Sequence, residues 1–390
     1  MNIAIDIRCL MDKNYSGIGE HTYRLLSELF IKDQKNQYFL FYNSAKKGIK
    51  NRLPKFSYHN VFYCGFSYPN KILNLSLLLF GFPKIDEIIN KKFAHLLKNE
   101  KIDLFFLPNI NFISLSRNCK LIITVHDLSF KKFPEFYNLK ARIWHKLANF
   151  KKIIKKSSKI IAVSKNTKTD IQKLYNIPDK KIQVIYSGIN QASNIKHQVS
   201  NILKIRKKYN LPKKFILYLG NLEARKNIES LIKAYSKIKQ DIGLIIVGGK
   251  LWKYKNIYKT VKQLNLRDRV IFTGYIHKKE KKILYNLADI FVYPSYYEGF
   301  GIPPLEAMAA GTPVIASYSS SLPEIIGNSA IIIDPFNAKE LEQAIIQILN
   351  NNELRDDLKN KGIENAKKFS WQKTAEKTCE FINRAFCVKV

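Results

Sequence analysis

Apolar residues along this chain fall in short unbroken runs, and the stretches between runs carry apolar positions three and four residues apart. The runs at Ile3–Ile7, Tyr38–Tyr42, Asp103–Leu107, Leu121–Val125, Lys159–Val163 and Lys181–Tyr186 read as strands. Their Ile, Val and Leu content suits parallel strands covered on both faces. Between them, Tyr23, Leu26, Leu29 and Phe30, and later Ile143, Leu147, Phe150 and Ile154, keep a helical spacing. The rhythm then restarts, with strands at Phe215–Leu219, Leu244–Val247, Val270–Phe272, Ile290–Tyr293, Pro313–Ala316 and Ala330–Ile333. Two successive β-α-β series predict an α/β protein of two Rossmann-like, doubly wound parallel-sheet domains, each with a crevice at its strand C-termini. A polar stretch, Gln191 to Pro212, separates them. The expected division is a first domain over 1–195, a linker over 196–212 and a second domain over 213–369. A helix within 370–390, starting after Ser370 as a suitable N-cap, is expected to cross back to the first domain.

Charge adds what the pattern cannot. Lys and Arg number 66 against 31 Asp and Glu, a net charge of +35. A field of that sign suits nucleic acid, anionic lipid or a phosphorylated substrate. An AT-rich coding bias accounts for part of the surplus. A basic nucleic-acid-binding protein is disfavoured, because no recognition helix, RNA-binding sheet motif or zinc pattern appears. The five cysteines include no Cys-x-x-Cys, which fits a reduced, cytoplasmic chain without a disulfide framework or zinc cage. The opening residues read as a strand and not as a secretory signal. Leu75–Phe82 is the most apolar stretch and too short to span a bilayer. It reads first as buried core and second as an interfacial contact edged by Lys71 and Lys84. Lys151, Lys152, Lys155 and Lys156, with Lys131, Lys132 and Lys140 near in sequence, favour peripheral attachment to an anionic inner leaflet. Each such charge at the surface is worth about 1 kcal/mol.

Candidate chemistry sits where strands give way to helices. Gly17 and Gly19, in Ser16-Gly-Ile-Gly-Glu20, would let backbone approach a diphosphate, although Thr22 replaces the third glycine of a dinucleotide fingerprint. A plain strand-to-helix turn explains them equally well. His126-Asp127 ends a strand facing a crevice, and a neutral imidazole there would bond a sugar hydroxyl. Arg225 and Lys226 follow Phe215–Leu219 and would neutralise a leaving diphosphate, the work a divalent metal does elsewhere. No Asp-x-Asp metal clamp is present, so no metal site is assigned. Glu298 and Glu306 bracket Glu-Gly-Phe-Gly-Ile-Pro-Pro-Leu-Glu, where Pro303 and Pro304 open a helix. The N–H groups of Phe300, Gly301 and Ile302 would seat a phosphate. The two carboxylates need other partners, and sugar hydroxyls are the candidates. Val247-Gly-Gly-Lys250 and Thr273-Gly-Tyr-Ile276-His277 would admit a nucleobase or simply form tight turns.

Together these segments resemble the retaining glycosyltransferases of family four, the group 1 transferases with the two-domain GT-B fold facing a central cleft. The match is densest in Tyr218-Leu-Gly-Asn-Leu-Glu-Ala-Arg-Lys-Asn227 and in Pro294 to Val314. Thr124-Val-His-Asp-Leu-Ser129 with Phe133-Pro-Glu135 resembles the branch of mannosyltransferase-like enzymes that build bacterial surface polysaccharide. The resemblance implies a hexose, mannose first, moved from GDP-mannose or another nucleotide diphosphate sugar to a saccharide or lipid-linked saccharide. That donor is a substrate; no cofactor is implied. Glu298 would hold sugar hydroxyls, Glu306 the ribose, Arg225 and Lys226 the diphosphate, and His126 the sugar. Gly17 and Gly19 would lie beside the diphosphate, and Ile276 beside the nucleotide. Asn221 departs from the family, which often carries Arg there. An epimerase or hydrolase on the same fold is the second reading, separated by whether an acceptor is required.

Overall fold

The structure, a computed structural model, describes residues 1–13, 15–46, 48–98, 100–190 and 199–386. The start of the expected linker, residues 196–198, and the polar residues 191–195 lie outside the described residues. Among the described residues thirteen strands form two sheets. The first holds β1 (Asn2–Asp6), β2 (Gln37–Asn43), β3 (Val61–Phe66), β4 (Leu104–Leu107), β5 (Lys120–Val125), β6 (Lys159–Ala162) and β7 (Ile182–Val184). The second holds β8 (Phe215–Leu219), β9 (Gly243–Val247), β10 (Val270–Gly274), β11 (Ile290–Tyr293), β12 (Val314–Ser317) and β13 (Ile331–Ile333).

Strand order is β3-β2-β1-β4-β5-β6-β7 in one sheet and β10-β9-β8-β11-β12-β13 in the other. Every pairing between named strands is parallel. Both orders reverse direction beside the first strand, between β1 and β4 and between β8 and β11. Such a reversal opens a crevice where the neighbouring loops diverge. The two Rossmann-like, doubly wound units expected from the apolar runs are therefore the architecture found. The runs bury as parallel strands should: Ile3, Ala4 and Ile5 in β1 and Phe215 to Tyr218 in β8 are fully covered.

By internal contacts one compact unit comprises Met1–Leu128, Lys140–Ser187 and the terminal helix Trp371–Phe386. The other comprises Ser129–Leu139 and Gly188–Ser370. The segment 129–139, placed by the sequence in the first domain, thus packs in the second unit. Phe133 lies 5.7 Å from Tyr297, and Phe136 stacks on Tyr296 at 5.6 Å, ring centroid to ring centroid. The terminal helix packs along Gly17–Lys32, where Trp371, Ala375 and Ile382 join the core that holds Leu26 and Phe30. Lys32 and Glu376 close that seam at 2.6 Å.

Two expectations need correction, and one strand lies outside the predicted set. The edge strand β3, buried at Val61, Cys64 and Phe66 and interrupted by Gly65, is absent from the strands that the apolar runs predict. A Cβ on Gly65 would meet the Tyr42 ring hydroxyl at 2.3 Å, so the glycine is there for close approach. The helical spacing over Ile143–Ile154 is not one helix. It breaks at Asn149, whose positive φ of 46° caps a second helix, Phe150–Lys156. Phe150 and Ile154 are buried, whereas Ile143 and Leu147 are exposed. Leu75–Phe82 is not core either. Helix Asn70–Leu79 buries Leu73 and Leu77 and leaves Leu75, Leu79, Phe80 and Phe82 in solvent.

Candidate active site

Two loops meet at the reversal of the second sheet. β8 and β11 are neighbours, paired at Ile216 and Ile290 and at Leu217 and Phe291. The chain after β8 forms a short 3₁₀ turn, Ala224–Lys226, and then Asn227 takes a left-handed φ of 56°. The Asn227 side chain donates to the Pro294 carbonyl at 3.0 Å and the Pro335 carbonyl at 2.6 Å, pinning the turn to the loop after β11. Arg225 and Lys226 are thereby brought to Glu298. Lys226 Nζ lies 2.6 Å from Glu298 Oε1 and donates to the Tyr293 hydroxyl at 2.7 Å. Arg225 reaches Glu298 Oε2 at 3.2 Å and Glu223 Oε1 at 2.7 Å. Lys226 and Glu298 are each 7% exposed, so this is a buried ion cluster and not a surface pair.

Burial opposes charge on Glu298, yet Lys226 and Arg225 outweigh it and hold the carboxyl at about 2. Burial likewise lowers Lys226 from the ordinary lysine range, while Glu298 pulls it back up. The Glu298 amide donates to Ser320 Oγ at 2.7 Å, and Ser321 Oγ donates to the carbonyls of Glu298 and Phe300. These bonds fix the loop that leads to helix Ile302–Ala309. Gly301 precedes that helix with φ 112°, a conformation suited to glycine, and Pro303 sits in its first turn. Phe300, Gly301 and Ile302 therefore stand together at the helix start, beside Glu298.

Glu306 lies further along the same helix. Its carboxylate pairs with Lys281 and accepts from the Tyr285 hydroxyl at 3.2 Å. Tyr285 connects inward through Phe291 to Tyr293, which stacks with Tyr218 at 6.1 Å. Burial first, and the nearby carboxylates second, raise Tyr218, Tyr285 and Tyr293 well above the usual phenol range. All three remain neutral hydrogen-bonding groups: Tyr285 donates to Glu306, Tyr293 accepts from Lys226, and Tyr218 donates to the Asn221 carbonyl. Ile276 is buried just ahead of helix Lys278–Leu287, which carries Lys281 and Tyr285.

In this structure the two carboxylates thus have cations as partners, where the sequence suggested sugar hydroxyls. Lys281, Tyr293 and Glu223 had no sequence signal beyond a polar group ending an apolar run, as in Tyr293. The glycine pair Gly248-Gly249 is explained by backbone contact: a Cβ on Gly248 would lie 1.9 Å from the Gly220 carbonyl.

The first unit holds the remaining predicted residues. His126, after β5, bonds the Pro108 carbonyl after β4 through Nε2 at 2.9 Å. A carbonyl only accepts, so Nε2 carries the proton and Nδ1 is left as an acceptor. Burial lowers His126 below the ordinary imidazole value, with Pro108 and Asp127 opposing. His21, a residue the sequence did not single out, packs edge-on against His126 at 4.7 Å and against Trp371 at 5.2 Å. Gly17 begins helix Gly17–Lys32 with open space where a Cβ would stand, whereas a Cβ on Gly19 would press the Cys9 carbonyl at 3.0 Å. Packing therefore accounts for Gly19 by itself.

Comparison with known proteins gives the family and the fold. A model of the glycosyl transferases group 1 matches residues 201–365, and one of glycosyltransferase family 4 matches residues 16–193. The O-antigen chain mannosyltransferase B of Escherichia coli is 30% identical over 273 residues, 69% of this chain and 71% of that protein. The chain belongs to the group 1, family 4 glycosyltransferases. This glycosyltransferase is also similar in fold to sucrose-phosphate synthase of Thermosynechococcus elongatus, with a TM-score of 0.73 at 21% identity over 99% of both chains. HepE of Anabaena, solved in complex with UDP-glucose, gives a TM-score of 0.71 at 18% identity, over 98% of this chain and 100% of that one.

Proposed function

We propose that this glycosyltransferase moves a hexose, mannose first, from a nucleotide diphosphate donor to a saccharide or lipid-linked saccharide acceptor at the inner face of the membrane, in bacterial surface-polysaccharide synthesis. The mannosyl reading and the polysaccharide setting draw on the Escherichia coli relative. The observation that carries the reaction is the buried meeting of Arg225 and Lys226 with Glu298 at the reversal of the second sheet. The four charges of Glu223, Arg225, Lys226 and Glu298 sum to zero. A donor diphosphate entering there takes the two cations as partners and releases Glu298 to accept from the sugar hydroxyls. Glu306 accepts from the ribose, and the first amides of helix Ile302–Ala309 add donors for phosphate.

As the anomeric C–O bond breaks, negative charge gathers on the departing diphosphate and positive character on the sugar. Arg225 and Lys226 stabilise the former without a metal. The leaving phosphate accepts the acceptor hydroxyl's proton on the same face, and configuration is retained. His126, neutral and accepting through Nδ1, orients the sugar. The test is transfer from GDP-mannose to a lipid-linked saccharide in the presence of chelator, with the product anomer read by NMR. Retained configuration and chelator-insensitive turnover support the reading. An inverted product, a metal requirement, or conversion of donor with no acceptor present refutes it, the last in favour of an epimerase or hydrolase.

A further inference from the structure

The first unit presents apolar side chains to solvent on two helices. Helix Asn70–Leu79 turns Ile72, Leu75 and Leu79 outward at 66%, 55% and 62% exposure. Phe80 and Phe82 extend the same stretch at 78% and 63%. Exposed apolar residues on a lone soluble domain are usually scattered, and a contiguous set marks a surface that meets something. Helix Leu139–Leu147 buries none of its residues, and Ile143, Trp144 and Leu147 stand exposed at helical spacing. One loop, between β4 and β5, touches both places. The Ile85 amide donates to the Ser114 carbonyl at 2.9 Å, Lys84 Nζ donates to Ser114 Oγ at 2.9 Å, and the Phe112 ring meets Trp144 edge-on at 6.0 Å.

Charge decides what covers this surface. Residues 34–85 contain eight Lys or Arg and no Asp or Glu, and residues 136–169 contain ten and none. Lys71, Lys140, Arg142 and Lys146, on the two helices themselves, are exposed. A second copy of the chain would bring the same positive charge to the contact, whereas lipid phosphate brings the opposite. No helix among the described residues is long and apolar enough to cross a membrane. Apolar side chains rimmed by lysine and arginine, on helices too short to span, suit the headgroup boundary.

We infer that this face of the first unit docks on an anionic phospholipid bilayer. Ile72, Leu75, Leu79, Phe80, Phe82 and Trp144 enter the acyl boundary, and the surrounding basic residues meet headgroup phosphates. The inference stands on the first unit alone and is indifferent to which sugar is moved.

Flotation of the full chain with phosphatidylcholine vesicles, with and without phosphatidylglycerol, tests it. The protein floats with the anionic vesicles, and high salt reduces the bound fraction. The variant Leu75→Ser/Leu79→Ser/Phe80→Ser loses at least about tenfold in partitioning, with an unchanged melting temperature and unchanged transfer to a water-soluble acceptor. Brominated acyl chains quench Trp144, and the quenching is missing in Trp144→Phe. Three results overturn the inference: no flotation with anionic vesicles, wild-type partitioning by the triple variant, or a wild-type dimer that the triple variant converts to monomer. The last would make the face a protein contact.

Discussion

Glu298 and Lys226 set the strongest demands on individual residues. Lys226→Ala removes one of the two cations that the proposed reaction sets against the leaving diphosphate, and on that reading transfer should fall on the order of 10²–10³-fold or more. Glu298→Gln leaves Lys226 buried without its nearest counter-charge and should cost about 3 kcal/mol or more of stability, read as a lowered melting temperature. The pH dependence of that loss has a definite sign. The folded carboxyl is held at about 2, below its ordinary value of 4.5. Its stabilisation is therefore present in full above the ordinary value and is lost as pH falls from about 4.5 towards about 2. The gap in melting temperature between wild type and Glu298→Gln should stay constant from neutral pH down to about 5 and close below that. A gap that closes already at pH 6 would deny the pairing. These two residues were legible because turn chemistry and charge flanked them in the sequence. Tyr293, Glu223 and Lys281 were not, because their roles arise only when separate strands and helices are brought side by side.

Short elements place those residues, and their geometry is testable too. Helix Ile302–Ala309 begins at Gly301, with φ 112°, and a Cβ there would lie 2.7 Å from Leu322 Cδ2. Gly301→Ala should cost roughly 1–3 kcal/mol from backbone strain, and it should weaken donor binding because the helix start shifts. Unchanged binding in a stable Gly301→Ala protein would detach that helix start from the donor site. In the first unit the imidazoles of His21 and His126 meet edge-on, and burial lowers both, His21 well below its ordinary value. The unfolded chain binds protons there sooner than the folded one, so stability should fall as pH drops below about 6.5. His21→Phe should flatten that slope; a slope identical to wild type contradicts the assignment. Strands with continuous apolar runs were readable at this scale, whereas the edge strand β3 and the break at Asn149 were not. The first hides behind partial burial, and the second is a single left-handed residue inside an otherwise regular spacing.

For the molecule as a whole, the sequence made the repeated β-α-β rhythm plain, and with it the two sheets. It did not show that Ser129–Leu139 would pack in the second unit, since the aromatic partners of Phe133 and Phe136 are far along the chain. Nor did it show which greasy segments stay in water, because Leu73 and Leu77 face inward while their neighbours face out. The terminal helix completes the first unit's core through Trp371, Ala375 and Ile382. Trp371→Ala should cost about 3–5 kcal/mol and lower the melting temperature of that unit, with calorimetry as the check.

Calorimetric titration of the full chain with GDP, UDP and ADP asks most directly whether the second sheet's reversal grips a nucleotide diphosphate. One of the three should bind with measurable heat. Lys226→Ala, losing a charge-assisted contact of about 1.5–3 kcal/mol, should weaken it by about 10- to 100-fold while circular dichroism stays unchanged. Wild-type affinity in both Lys226→Ala and Glu306→Ala would mean that the nucleotide sits elsewhere.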